Sequence, residues 1–211
     1  MKTALIFLNS PIAPTLNLSK IDLENSKKYF TDGAIRYAKE LGITPDIIIG
    51  DLDSADPELI IELKSRGAKI ICDSDQDYSD LEAAIDHAFE NEIDRVQIIG
   101  SMDGRADHAL TNFMILANPK YGSKELEIID KNSTTKLLKT GKVIELNKSA
   151  GEILSIVQIQ ESIISMKGFK WELDQETIKV GSTIGLSNLI TQEIASIEVH
   201  SGSVFAIQTS N

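Results

Sequence analysis

The residues best equipped for chemistry are acids that follow β-branched runs. In Pro45-Asp46-Ile47-Ile48-Ile49-Gly50-Asp51-Leu52-Asp53-Ser54, a buried-strand pattern runs into a glycine, two aspartates one residue apart and a serine able to cap a helix. Carboxylates at i and i+2 of such a loop direct their oxygens into one small volume and repel unless a hard cation lies between them, an arrangement that suits magnesium. The plain alternative makes Asp51 and Asp53 turn formers and a helix cap. Two further acidic clusters follow, Asp73, Asp75, Asp77 and Asp80, then Asp103 with Asp107. Hung from the strand ends of one parallel sheet, they face one cleft and can hold one or two magnesium ions for polyphosphate chemistry. Asp73 and Asp75 read as a solvated loop before a helix, where acids meet the positive end of the helix dipole. Asp77 and Asp80 read as candidates for the cleft.

Arg105 follows a glycine and sits beside Asp107 and His108, able either to clamp a phosphate or to pair with a carboxylate. His108 can meet phosphate or cap a helix, whereas His87 and His200 read as packing or surface residues, and no zinc spacing exists. Further along, Gly168-Phe169-Lys170-Trp171-Glu172-Leu173 holds the only tryptophan, and Gly185-Leu186-Ser187-Asn188 offers hydroxyl and amide groups. An indole next to acids can seat a flat cation. From the residues alone, the default is a tryptophan in a sandwich core and a polar turn.

These groups need elements to position them. Residues 3–8 form a strand, followed by a polar loop through Pro14 that can wall a site, and a second strand ends at Asp32. Gly33 permits a close turn, and residues 34–41 have helical spacing with Gly42 as the stop. Pro57 opens a helix that Gly67 ends, and residues 68–72 form a strand whose apolar run points to a buried Cys72. Ser79-Asp80-Leu81-Glu82 is a capping box ahead of an apolar stripe at Leu81, Ala84, Ile85 and Ala88. Residues 95–99 form another strand, 109–117 a helix, and 126–129 the last strand of a largely parallel α/β half. Past about Thr140 the helical period disappears, and short β runs at 142–146, 152–159, 162–166, 177–180, 194–199 and 203–208 describe an antiparallel sandwich or partial barrel. The domains expected are 1–139 and 140–211.

A net charge of −11 with few, scattered basic residues argues against nucleic acid as a partner. The same balance requires an added cation for phosphate work and welcomes a cationic organic substrate. One cysteine excludes an internal disulfide framework, and neither a signal-peptide run nor a membrane-spanning stretch is apparent, so the expected location is cytoplasmic with no membrane partner.

Taken in order, the clusters resemble those of the thiamine pyrophosphokinase family. The resemblance rests on Asp32-Gly33-Ala34, on Pro45-Asp46 through Gly50-Asp51-Leu52-Asp53-Ser54, and on Asp77-Tyr78-Ser79-Asp80-Leu81-Glu82. It continues through Gly104-Arg105-Ala106-Asp107-His108 with Leu110 and Asn112, then Gly168 to Leu173, and Ser187-Asn188. The chain departs from the family pattern at Ala34, Gln76, Ser79 and Asp103, and the Gln76 and Asp103 changes make the nucleotide cleft more negative.

The resemblance implies an α/β nucleotide-binding domain followed by a β-sandwich, in a homodimer whose active site lies between one subunit's α/β domain and its partner's sandwich. It implies magnesium held by Asp51, Asp53 and Asp80, which are also the catalytic candidates. ATP is expected at Asp32, Asp77, Arg105, Asp107, His108 and Asn112, and thiamine at Trp171, Ser187 and Asn188. The implied reaction moves a pyrophosphoryl group from ATP to the thiamine hydroxyl. A pyrophosphokinase acting on a pterin alcohol and a non-catalytic nucleotide or thiamine binder are the alternatives.

Overall fold

The computed structural model describes residues 1–10, 18, 21–53, 55–72, 78–102, 105–147 and 150–209. The chain forms two compact units, Met1–Lys131 and Asn132–Asn211.

In the first unit, β1 (Thr3–Phe7), β2 (Ser26–Thr31), α1 (Ala38–Leu41), β3 (Ile47–Gly50), α2 (Pro57–Ser65) and β4 (Lys69–Cys72) come first. After them run α3 (Asp80–Glu90), β5 (Arg95–Ile99), α4 (Ala106–Ile115) and β6 (Glu125–Ile129). The strands pair in parallel in the order β6-β5-β1-β2-β3-β4. All four residues of β3 are buried, as a parallel strand covered on both faces requires. One cluster joins Leu5, Phe7, Phe30, Ile35, Ile48 and Leu63, with the Phe7 and Phe30 rings stacked at 4.5 Å. Helix α3 buries Leu81, Ala84, Ile85 and Ala88, the stripe read from the sequence, and the Ser79 hydroxyl caps it by accepting the Glu82 N–H at 3.2 Å.

Several elements differ from the sequence expectation. The stretch from residue 34 to 41 begins as a 3-10 turn, Asp32–Tyr37, and becomes α-helical only at Ala38, with Gly42 as a left-handed cap at φ 67°. Short 3-10 turns of this kind are frequent at the N-termini of α-helices. Helix α2 is capped by Asp56, which accepts the Glu58 N–H at 2.9 Å. Helix α4 starts at Ala106, three residues earlier than the spacing indicates, because the Asp107 carboxylate accepts the His108 N–H at 3.0 Å and steadies the first turn. Cys72 is exposed rather than buried, since β4 is the edge of this sheet.

In the second unit, β7 (Ser133–Lys139), β9 (Ile153–Gln158), β12 (Asn188–Leu189) and β14 (Ser203–Thr209) pair antiparallel in the order β12-β9-β14-β7. The second sheet has the order β11-β10-β13-β8, from β8 (Val143–Asn147), β10 (Ser162–Lys167), β11 (Leu173–Ile178) and β13 (Ile194–Ser201). Leu138, Leu154, Ile156 and Val204 of one sheet meet Ile164, Met166, Ile197 and Val199 of the other in one core, which makes this unit a sandwich. The β texture noted past Thr140 begins within the unit; β7 precedes it and pairs along its length with β14.

Candidate active site

The C-terminal ends of the parallel strands deliver the acids. Asp32 follows β2 and is buried; Asp51 and Asp53 follow β3 and are exposed. Leu52 takes φ 64°, a left-handed conformation that costs a non-glycine residue about 1–3 kcal/mol. Its side chain packs on the core cluster of the first unit, which offsets that cost. The turn lets the Asp51 carboxylate accept the Asp53 N–H at 3.1 Å, and oxygens of Asp32, Asp51 and Asp53 come within 4.8 Å of one another. Such a set of hard oxygen donors suits a divalent cation.

Gly50 is the other half of this arrangement. Its φ of 142° favours glycine, and a Cβ there would lie 2.9 Å from the Asp32 Cβ and 3.2 Å from an Asp80 carboxylate oxygen. The bare backbone therefore lets Asp32 and Asp80 approach from two sides.

A cavity of about 520 Å³ opens beside these groups, lined by Asn9, Asp32, Asp80, Arg105, His108 and Asn112 among others. Five of the sequence candidates thus share one concave surface, within the size range of nucleotide sites. Asp107 pairs with Arg105 through two bonds of 3.1 and 2.6 Å. The Arg105 hydrogen bond holds the Asp107 carboxyl down at about 2, and the same contact raises the guanidinium. Among the described residues, Asp51 and Asp53 meet this surface through Asp32. Asp77, along with Asp73, Asp75, Asp103, Gln76 and Ser54, lies outside the described residues.

Asn9, in the polar loop expected to wall a site, lines the cavity, as do Thr31 and Ser101, which were not singled out. Asn9 fixes the identity of Gly33, because a Cβ there would fall 2.6 Å from the Asn9 amide nitrogen. The available signal was position: Asn9-Ser10 directly follows β1, as Ser101 follows β5 and Gly100.

In the second unit, Trp171 is 55% exposed, which overturns the sandwich-core expectation. Asn188 is buried and clamps the tryptophan backbone, accepting the Trp171 N–H at 3.1 Å and donating to the Trp171 carbonyl at 2.7 Å. The Lys170 ammonium lies 4.7 Å from the indole centre. Ser187 takes φ 53° and donates its N–H to the Ser155 hydroxyl at 2.9 Å. The two C-terminal motifs are therefore one assembly, with a presented indole and a buried amide that orients its backbone.

An α/β unit with acids gathered at parallel strand ends, followed by a β-sandwich that presents an aromatic side chain, fits a two-part enzyme of the phosphoryl-transfer class. The particular family follows from comparison with known proteins. The model described as "Thiamin pyrophosphokinase, catalytic domain" matches residues 22–129, and "Thiamin pyrophosphokinase, vitamin B1 binding domain" matches residues 142–204. The chain belongs to the thiamin pyrophosphokinase family. It is 27% identical to Thiamin pyrophosphokinase 1 of Caenorhabditis elegans, a match covering 98% of this chain and 89% of the relative. It is also 27% identical to thiamine pyrophosphokinase of Bacillus subtilis, over 82% of each chain. The crystal structure of thiamine pyrophosphokinase from Bacillus subtilis superposes with a TM-score of 0.88 at 26% identity over 100% of both chains. The Candida albicans enzyme, at 21% identity, shares the fold with a TM-score of 0.83 over 99% of this chain and 89% of its own. Neither a pterin-alcohol enzyme nor a non-catalytic binder is favoured.

Proposed function

We propose that this chain transfers the β,γ-pyrophosphoryl group of ATP to the hydroxyl of thiamine, giving thiamine diphosphate and AMP. The observation that carries the reading is the convergence of Asp32, Asp51 and Asp53 within 4.8 Å at the edge of a nucleotide-sized cavity. These three carboxylates would hold magnesium, whose positive charge offsets that of the phosphate oxygens.

Asp80 takes the hydroxyl proton, since its carboxylate lies in the cavity beside the carboxylate cluster rather than among the three closest oxygens. Arg105, already oriented by Asp107, turns a planar pair of donors toward phosphate. His108 and Asn112 shape the nucleotide pocket, and Asp77 belongs with them by the motif it shares with Asp80. Trp171 seats a ring of thiamine, with Asn188 and Ser187 fixing the loop that carries it. The rigid mounting of these groups supplies orientation in advance, and orientation with electrostatics is most of what phosphoryl transfer asks of a protein.

The family resemblance further supports a homodimer with the site completed by the partner's sandwich, and the single cysteine supports a cytoplasmic location. Among the described residues no helix is long and apolar enough to cross a membrane.

The deciding experiment incubates the protein with magnesium, ATP and thiamine and separates the products. Thiamine diphosphate and AMP in equal amounts support the reading. ADP with thiamine monophosphate would show ordinary kinase chemistry instead. Binding of thiamine or ATP without turnover would make the chain a sensor.

A further inference from the structure

Asp130 is a buried carboxylate that no step above uses. It directly follows β6 and is 8% exposed. Burying a carboxylate is costly unless its oxygens are hydrogen-bonded. Here both turn to Ser101: one oxygen accepts the Ser101 N–H at 3.1 Å, the other the Ser101 O–H at 3.5 Å. Ser101, only 2% exposed, follows Gly100 at the end of β5, and its carbonyl accepts the Asn112 amide at 3.2 Å. Gly100 at φ 79° leaves room for Ser10, whose Cβ lies 3.0 Å from where a Gly100 Cβ would be. The ends of β5 and β6 and one turn of α4 are thus tied through a single carboxylate. Of the residues tied, Gly100, Ser101 and Asn112 line the cavity.

We propose that Asp130 is a positioning residue that makes this corner the nucleoside end of the cavity; the proposal rests on the reading that the cavity receives a nucleotide. With its N–H given to Asp130 and its O–H turned toward the same carboxylate, Ser101 presents little donor capacity to a phosphate. Its hydroxyl oxygen keeps only acceptor capacity, which suits a ribose hydroxyl or an exocyclic amino group. A buried carboxylate behind that wall repels phosphate further, whereas Arg105, which also lines the cavity, carries donors suited to phosphate. Asparagine at position 130 would have nearly the same shape. Its amide nitrogen, however, would face the Ser101 hydroxyl as a donor, turning that hydroxyl's hydrogen elsewhere.

The test compares Asp130→Asn and Ser101→Ala with the wild-type protein in magnesium by calorimetric titration, using ATP and, separately, inorganic tripolyphosphate. Losing one charge-assisted bond that orients the corner should weaken ATP about tenfold in Asp130→Asn. Tripolyphosphate should stay within about twofold, because it lacks the nucleoside. Ser101→Ala keeps the N–H contact and should shift ATP in the same direction by less, which retains the test if the Asn variant folds poorly. Equal weakening of both ligands, or no change in either, overturns the proposal, since a merely structural role would not distinguish them. Failure of the wild-type protein to bind ATP at all would overturn the nucleotide reading on which it depends.

Discussion

Asp53→Asn should make the protein more stable without metal and less stable with it. Oxygens of Asp53 lie within 4.8 Å of those of Asp32 and Asp51. A pair of unit charges at that separation repels by about 0.9 kcal/mol in water and about 3.5 kcal/mol at an effective dielectric near 20. Asp51 and Asp53 are exposed, so the aqueous figure is the better guide, and relief of two such pairs is worth about 1–2 kcal/mol at low salt. For a protein of this size that raises the melting temperature by about 2–4 °C per kcal/mol. Asparagine preserves the backbone contact, because the bond at 3.1 Å uses the Asp53 N–H and the Asp51 carboxylate. Saturating magnesium should reverse the order, since a ligand at a hundred times its dissociation constant stabilises by about 2.7 kcal/mol and the variant has lost a donor. Thermal melts in chelator and in magnesium, with turnover beside them, make the check. A variant that melts lower in chelator and gains as much from magnesium as the wild type would refute the cluster as a cation site.

Four further outcomes are expected. Trp171→Ala should raise the thiamine KM by about 2–30-fold, the span of a cation–π contact, with the ATP KM and the melting temperature nearly unchanged because the ring is exposed; equal effects on both substrates would indicate packing. Gly50→Ala forces a Cβ to within 2.9 Å of Asp32 and 3.2 Å of Asp80, so it should cost about 1–3 kcal/mol in urea unfolding and most of the turnover. Burial lowers the His87 pKa below its ordinary 6.5, and Tyr29 shares a 3.1 Å hydrogen bond with that ring. The unfolded chain then binds the proton more readily, so stability should fall as pH drops below 6.5 toward the folded value, and His87→Gln should flatten that part of the profile. Cys72, exposed on its edge strand, should react with a thiol reagent in the native protein at close to the unfolded rate.

Local patterns carried the fold, and convergence carried the site. The capping box at Ser79 and the stripe from Leu81 to Ala88 were readable because a helix is specified by neighbours a few residues apart. Cys72 was misjudged because an apolar run shows strand formation but not whether the strand is an edge, which long-range pairing decides. Trp171 likewise looks like core in a sequence. The bonds from Asn188, seventeen residues later, fix its backbone, and its exposure shows that the ring is presented.

Asp32 joins Asp51 and Asp53 for a reason that no spacing contains. Strand β3 lies beside β2, with Thr31 opposite Ile49, so Asp32 leaves the sheet level with Gly50 and one residue short of Asp51. Gly50 removes the side chain that would crowd Asp32 and Asp80, and Leu52 bends the acidic loop back while anchoring it in the core. Each device has a local cost, a glycine's entropy in one case and a left-handed leucine in the other. Burial of Leu52 against the apolar cluster offsets that cost with free energy drawn from folding. The carboxylates are consequently brought together before any ligand arrives, and their mutual repulsion is free energy that a cation bound there would recover.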